Sequence, residues 1–103
     1  MISVAFLGLG AMGWRMAAHL PKAFADVRVW NRNFDKAHAH AQSFGTQACP
    51  IEQAVQADVI FSCLPTSREV EALIAAHPPK AGSIWVDCTS GEPSSARAVA
   101  AAL

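Results

Sequence analysis

The sequence predicts an α/β domain with a doubly wound parallel sheet, its strands lying side by side in the order 3-2-1-4-5. Three observations carry this. The chain opens on an apolar run of strand formers, Ile2–Leu7, which leads straight into Gly8-Leu9-Gly10-Ala11-Met12-Gly13 and a helix-compatible segment, Trp14–Leu20. Short apolar runs then alternate with helical segments, a pattern that calls for right-handed crossovers between parallel strands. The run Asp58–Leu64 is nearly all apolar, as a parallel strand covered on both faces must be.

Each element has a local reason. Ile2–Leu7 is the first strand. The first helix spans Ala11–Leu20, and Pro21 stops it. Val27–Asn31 is the second strand, apolar at Val27, Val29 and Trp30. Asn33 or Asp35 caps a helix running to about Phe44, and Gly45 sits where a C-terminal glycine belongs. Thr46–Cys49 is a short third strand, and Pro50 opens a short helix through Gln56. Asp58–Leu64 is the fourth strand. Pro65-Thr66-Ser67 turns the chain, with Thr66 or Ser67 capping a helix from Arg68 to about Ala76. Pro78-Pro79 and Gly82 form a loop before the fifth strand, Ser83–Asp87. Pro93 opens a last helix running to Leu103. On this reading Ser83–Asp87 is an open edge strand carrying Ile84, Trp85 and Val86. Self-association is therefore expected, by edge pairing or through the final helix.

Composition narrows the class. The 103 residues suffice for one domain, and 52% of them are hydrophobic, enough for a small core. The formal net charge is zero and no basic block occurs, so neither nucleic acid nor a membrane surface is an expected partner. No apolar run reaches the length of a membrane span, and the N-terminus begins directly on a strand, without the charged region of a signal peptide. Cys49, Cys63 and Cys88 are odd in number and widely spaced. They fit free thiols in a reducing cytosol, and the expected location is the cytoplasm.

The glycine turn is the first functional signal. Strand, Gly-x-Gly-x-x-Gly and helix follow one another, the context in which the motif binds a dinucleotide. Gly8 permits the tight turn, Gly10 lets a pyrophosphate approach the backbone, and Gly13 lets the helix pack on the strand. The helix start then offers free N–H groups and its positive dipole end to the phosphates. A merely tight connection seldom needs three glycines at this spacing. A kinase loop would join two strands. A methyltransferase loop would want an acid at the end of the second strand. That position carries Asn31, followed by Arg32. An acid there holds the ribose hydroxyls of NAD and repels a 2′-phosphate; Asn31 does not repel it, Arg32 can pair with it, and Lys36 lies one helical turn on. NADP(H) is the expected cofactor, with NAD(H) also accepted.

At this point the residues resemble a family. Phe6-Leu7-Gly8-Leu9-Gly10-Ala11-Met12-Gly13 with Met16-Ala17, then Val29-Trp30-Asn31-Arg32 with Lys36, then Cys63-Leu64-Pro65-Thr66, then Asp87-Cys88-Thr89-Ser90-Gly91 with Pro93, are similar to the ordered motifs of the β-hydroxyacid dehydrogenases. That family includes 3-hydroxyisobutyrate dehydrogenase and the semialdehyde reductases and, more distantly, 6-phosphogluconate dehydrogenase. The resemblance covers essentially all of residues 1–103 and implies a Rossmann-type cofactor-binding domain of an oxidoreductase. It implies that Leu9, Ala11 and Met12 join the three glycines around the pyrophosphate, and that Asn31 and Arg32 bind the 2′-phosphate. Leu64 and Pro65, with Thr66 beside them, would line the ribose and nicotinamide side. Ser90 would contact the nicotinamide end, and Thr89, Ser90 and Gly91 would shape the substrate mouth. Glu69 departs from the pattern, since Asn is frequent there, and a carboxylate near the cofactor is unfavourable unless it turns away.

The same resemblance implies hydride transfer between the nicotinamide and a small β-hydroxy acid or semialdehyde, with a lysine as general acid/base. That lysine belongs to an all-helical second domain and is expected beyond Leu103. Lys22, Lys36 and Lys80 are wrongly placed for the role, so no catalytic residue is assigned here, and the chain alone is expected to be inactive. A nucleotide-binding module without catalysis is the alternative. The other polar residues have plainer readings. His38 and His40 point to different faces of one helix, so no metal site is expected. Cys63 and Cys88 end neighbouring strands and read as buried thiols. Asp87 organises loop N–H groups.

Overall fold

A computed structural model of the chain describes residues 2–88 and 97–100. The elements are β1 (Ser3–Leu7), α1 (Ala11–His19) with a 3₁₀ turn at Leu20–Lys22, β2 (Asp26–Trp30), α2 (Phe34–Phe44), β3 (Gln47–Ala48), α3 (Ile51–Ala54), β4 (Val59–Ser62), α4 (Ser67–Ala76), β5 (Ile84–Asp87) and β6 (Arg97–Ala100). They form one sheet in the order β3-β2-β1-β4-β5-β6. The first five strands are parallel, in the expected order 3-2-1-4-5. Most observed elements are one to three residues shorter than their sequence patterns, a difference confined to their ends.

Two expectations are corrected at the chain's end. Residues 97–100 lie in a strand antiparallel to β5, with Ile84 opposite Ala100 and Asp87 opposite Arg97, where the sequence reading has a helix from Pro93 to Leu103. Alanine is the strongest helix former, but helix propensity is a weak preference that tertiary context overrides, and the unpaired N–H and C=O groups along β5 offer the segment a stronger set of partners. β5 is therefore an inner strand, and the edge-pairing argument for self-association loses its basis. Pro93 and residues 101–103 lie outside the described residues.

Every residue of β1 is buried, as its central place demands. Side chains alternate across the sheet. Ala5 and Leu7 join Ile60, Leu64, Val70 and Trp85 on one face; Phe6 joins Leu9, Ala17, Val29 and Ala37 on the other. Each fully buried large aliphatic or aromatic side chain contributes about 1.5–3 kcal/mol of transfer free energy. Trp85 is 0% exposed and its indole N–H donates to Ser62 Oγ at 2.9 Å, so the polar edge of the largest core residue is satisfied. Ser62 in turn donates to the buried Asp87 carboxylate. The loop that Asp87 is expected to organise lies outside the described residues.

The helix caps follow their sequence signals. Asn33 Oδ1 accepts the Asp35 N–H, and Thr66 Oγ1 accepts the Glu69 N–H, so the first candidate of each pair is the cap. Gly45, at φ +77°, closes α2 in the left-handed conformation. Within α2, His40 is fully buried. Its Nε2 lies 3.0 Å from the Trp14 carbonyl and its Nδ1 lies 2.8 Å from Thr46 Oγ1. A carbonyl can only accept, so Nε2 carries the proton, and Nδ1 of the neutral ring accepts the threonine hydroxyl. His40 thus ties α2 to α1 and to Thr46, the residue before β3.

Candidate functional site

The strand register sets the site. Leu7, Trp30, Ser62 and Asp87 stand in one row across the sheet. The ladder then runs one residue further. Gly8 N–H donates to Trp30 O, Cys63 N–H to Leu7 O and Cys88 N–H to Ser62 O. Gly8, Asn31, Cys63 and Cys88 therefore line up at the carboxyl ends of the strands, where ligands bind in open α/β sheets.

A cavity of about 620 Å³ opens there. Gly8, Gly10, Ala11, Met12 and Gly13 form one wall. Trp30, Asn31, Arg32 and Lys36 form a second. Cys63, Leu64, Pro65, Glu69, Ala72, Leu73 and Ala76 form the third. The volume lies within the range of small-molecule and cofactor sites.

Two of the glycines are irreplaceable for packing. Gly8 has φ +99°, and a Cβ there would meet the Cys63 carbonyl oxygen. A Cβ on Gly13 would meet the Gly8 carbonyl oxygen. Gly10 differs: a Cβ built on it meets nothing within 4 Å. The space over Gly10 is open, and it belongs to the cavity. Gly10 also caps α1 without a side-chain hydrogen bond, no acidic residue stands in the first turn, and the first intrahelical bond from this end is Trp14 N–H to Gly10 O. The N–H groups of Ala11, Met12 and Gly13 precede it, at the cavity wall, beside the positive end of the helix dipole. This is an anion cradle by construction. Met12, 57% exposed, overhangs it with an apolar side chain.

At the second wall, Asn31 Oδ1 accepts the Leu9 N–H at 2.8 Å, and its Nδ2 donates to Asn33 O at 3.1 Å. Asn31 therefore holds the glycine turn against the start of α2. Arg32 points into solvent, 82% exposed, with Nη2 at 3.6 Å from Glu69 Oε1. Lys36 is also exposed. The third wall is apolar apart from Glu69. Burial pushes the Cys63 thiol above its ordinary range, and the nearby Asp87 carboxylate adds to the shift. Cys88 shifts the same way, by burial first and then by the proximity of Cys63 and Asp87. Both are free thiols.

Of the residues expected at the site, the cavity gathers Gly8, Gly10, Ala11, Met12, Gly13, Asn31, Arg32, Lys36, Leu64 and Pro65. Leu9 buries its side chain in the core beneath and presents only its backbone to the turn. Thr66 stands outside the lining as the cap of α4. Thr89, Ser90 and Gly91 lie outside the described residues. The sequence reading missed Trp30, Cys63 and the α4 face of Ala72, Leu73 and Ala76. Ala72 and Leu73 lie one turn before Ala76, so the three share a helix face, but apolar spacing alone does not tell a cavity-lining face from a core-facing one.

The family model for the NAD-binding domain of 6-phosphogluconate dehydrogenase matches residues 3–103. The chain belongs to this family. An NAD-dependent L-serine dehydrogenase of Pseudomonas aeruginosa is 35% identical over 99% of the chain, which spans 36% of that protein. The structure of Mycobacterium tuberculosis 3-hydroxyisobutyrate dehydrogenase with L-serine superposes with a TM-score of 0.77 at 30% identity, covering 87% of this chain and 32% of that one. A reductive aminase from Aspergillus terreus in complex with NADPH and ethyl-5-oxohexanoate also gives 0.77, at 34% identity, covering 94% and 35%. The chain thus spans about a third of the length of these relatives, the part that binds a nicotinamide dinucleotide. Among the described residues no helix is long and apolar enough to cross a membrane.

Proposed function

We propose that this domain binds NADP(H) in preference to NAD(H) and serves an oxidoreductase acting on a small β-hydroxy acid or semialdehyde. The observation that supports it best is the pairing of an anion cradle over Gly10 with two cations, Arg32 just past the end of β2, where no acid stands, and Lys36 in the first turn of α2. On this reading the pyrophosphate lies over Gly10 and takes the free N–H groups of the first turn of α1. Asn31 is a positioning residue that keeps Leu9 and the turn in register. Arg32 and Lys36 take the 2′-phosphate. Leu64 and Pro65 exclude water from the ribose and nicotinamide side, and Thr66 keeps α4 in place behind them. Ser90 meets the nicotinamide end, with Thr89 and Gly91 at the substrate mouth. The bound dihydronicotinamide supplies a hydride to a carbonyl carbon, or receives one from a hydroxyl-bearing carbon. The free thiols suit a reducing cytoplasm.

Calorimetric titration of the chain with NADPH and NADH tests the cofactor assignment. Arg32→Ala is expected to weaken NADPH alone, by about 1.5–3 kcal/mol, the range for one charge-assisted contact. Superimposable isotherms for the two cofactors with the unmutated chain would overturn the preference.

A further inference from the structure

Arg32 is not unopposed in its own cavity. Glu69 Oε1 lies 3.6 Å from its Nη2, and the two residues approach from opposite walls, the end of β2 and the first turn of α4. The local sequence offers Glu69 another partner. Thr66-Ser67-Arg68-Glu69 has the spacing of a capping box, in which the glutamate reaches back to the N–H of the capping threonine. Only half of that box forms. Thr66 Oγ1 accepts the Glu69 N–H, but the Glu69 carboxylate turns across the cavity mouth to Arg32. Its side chain is 32% exposed against 82% for Arg32, so the carboxylate is the more fixed member of the pair.

We infer that Glu69 is the specificity-determining residue of this site: it holds Arg32 against the 2′-phosphate and supplies the acid that the end of β2 lacks. The inference rests on the cofactor reading above. An acid at the end of the second strand selects NAD(H) by accepting from the ribose hydroxyls and repelling a 2′-phosphate. Here Asn31 occupies that position, with its side chain committed to Leu9 and Asn33. Glu69 brings a carboxylate from α4 to within 3.6 Å of the guanidinium that would meet the phosphate. The dinucleotide with a 2′-phosphate must displace Glu69 from Arg32 and then sit beside its charge. The dinucleotide with a free 2′-hydroxyl can leave the pair intact and donate to the carboxylate. The site is then a balanced selector in which a strong cation is partly neutralised from within.

The test is Glu69→Gln, which keeps the capping-box side-chain type and removes the charge. Affinities of the chain are measured for NADPH and NADH, and for 2′-phospho-ADP-ribose and ADP-ribose, which carry the adenosine end without the nicotinamide. Glu69→Gln is expected to tighten both 2′-phosphorylated ligands about 3- to 10-fold, as loss of one exposed charge a few ångströms away should, and to weaken both unphosphorylated ones about 2-fold or more. Glu71→Gln, on the same helix but exposed and outside the cavity, is expected to change neither. In an Arg32→Ala background the gain for the phosphorylated ligands should shrink, because the competition passes through the arginine. Equal effects on all four ligands, no effect, or an undiminished gain in the Arg32→Ala background would each overturn the inference. The outcomes separate the two claims. A wild-type chain without NADPH preference that acquires one in Glu69→Gln overturns the proposed preference and supports the selector. A wild-type preference unmoved by Glu69→Gln does the reverse.

Discussion

Replacing the three glycines of the turn by alanine, one at a time, should separate folding from binding. Gly10 has φ −69° and ψ −172°, a conformation open to any L-residue, and an added methyl meets nothing within 4 Å. Alanine is a poorer N-cap than glycine, but it also restricts the unfolded chain; the two effects oppose each other, leaving stability within about 1 kcal/mol of the parent. The methyl would fill the space over the first-turn N–H groups of α1. Losing one charge-assisted hydrogen bond there costs about 1.5–3 kcal/mol, or roughly 10- to 150-fold in affinity. Gly8→Ala and Gly13→Ala should behave in the opposite way. Their methyls collide with the carbonyl oxygens of Cys63 and Gly8, and at Gly8 the backbone is also left-handed, at φ +99°. Overpacking of about 1–3 kcal/mol applies to both, and backbone strain of similar size is added at Gly8. For a domain of this size each kcal/mol lowers the melting temperature by about 4–8 °C. Thermal melts and NADPH titrations on the three variants read both quantities. Unimpaired NADPH binding by Gly10→Ala would refute the placement of the pyrophosphate over this residue. A Gly13→Ala variant as stable as the parent would refute the packing argument.

Two further outcomes follow from buried groups. Burial depresses the His40 pKa below its ordinary 6.5, outweighing the hydrogen bond to Trp14 O that pulls it up. Above 6.5 neither folded nor unfolded chain protonates this ring; as the pH falls below 6.5 the unfolded chain binds a proton that the native one resists, so stability declines until the folded value is passed. Urea midpoints at pH 7.5 and 5.5 should show this loss, and it should shrink in His40→Gln; an undiminished pH dependence in that variant would assign it elsewhere. Cys49, Cys63 and Cys88 all titrate above the ordinary thiol range, each chiefly through burial, so alkylation of the native chain at neutral pH should be slow and should accelerate as the pH rises. Cys63 lines the cavity, so saturating NADPH should protect it further; labelling of Cys63 at an unchanged rate would contradict the ligand's placement.

The parts of the site legible in the sequence are those whose chemistry is local. A turn of three glycines between a strand and a helix admits few backbone paths, and Gly8, Gly10 and Gly13 adopt the expected one. Asn31 and Arg32 stand at the end of β2 as expected, but the Asn31 side chain is committed to Leu9 and Asn33, where the resemblance implied a contact with the 2′-phosphate. What escaped the sequence depends on partners far along the chain. His38 and His40 stand on different faces of α2, and that His40 is the buried one depends on Trp14, 26 residues away, and Thr46, which supply its two hydrogen bonds. Thr66-Ser67-Arg68-Glu69 reads as a complete capping box, and only the tertiary approach of Arg32 draws the carboxylate away. The alanines after residue 97 favour a helix locally, and an open strand edge decides otherwise. The α4 face that closes the cavity carries Ala72, Leu73 and Ala76, apolar residues with no chemical signature, so only the fold reveals that it lines the cavity.

The two ends of the sheet follow opposite electrostatic rules, and the contrast bears on where function resides. At the amino ends of β1 and β4, Asp58 is held by the Lys80 ammonium at 2.6 Å and by the Ser3 N–H and hydroxyl at 2.9 and 3.1 Å, while the Ser3 hydroxyl accepts the Asp58 N–H. Lys80 first, and then Ser3, keep that carboxyl well below the usual carboxylate range, so the cluster stays ionised in acid where an ordinary carboxylate takes up a proton. Donors and acceptors there satisfy one another, and a ligand has nothing to add. At the carboxyl ends the first-turn N–H groups of α1 stand at a cavity, and the cation beside them is met by a carboxylate only at 3.6 Å with four-fifths of its side chain in solvent. An anion entering there completes hydrogen bonds and neutralises charge that the fold leaves incomplete, at a point where the backbone cannot rearrange because Gly8 and Gly13 are packed against carbonyls. The same rigidity that closes the turn thus keeps the proposed pyrophosphate cradle preorganised, so that on this reading little of the binding free energy would go to ordering the site.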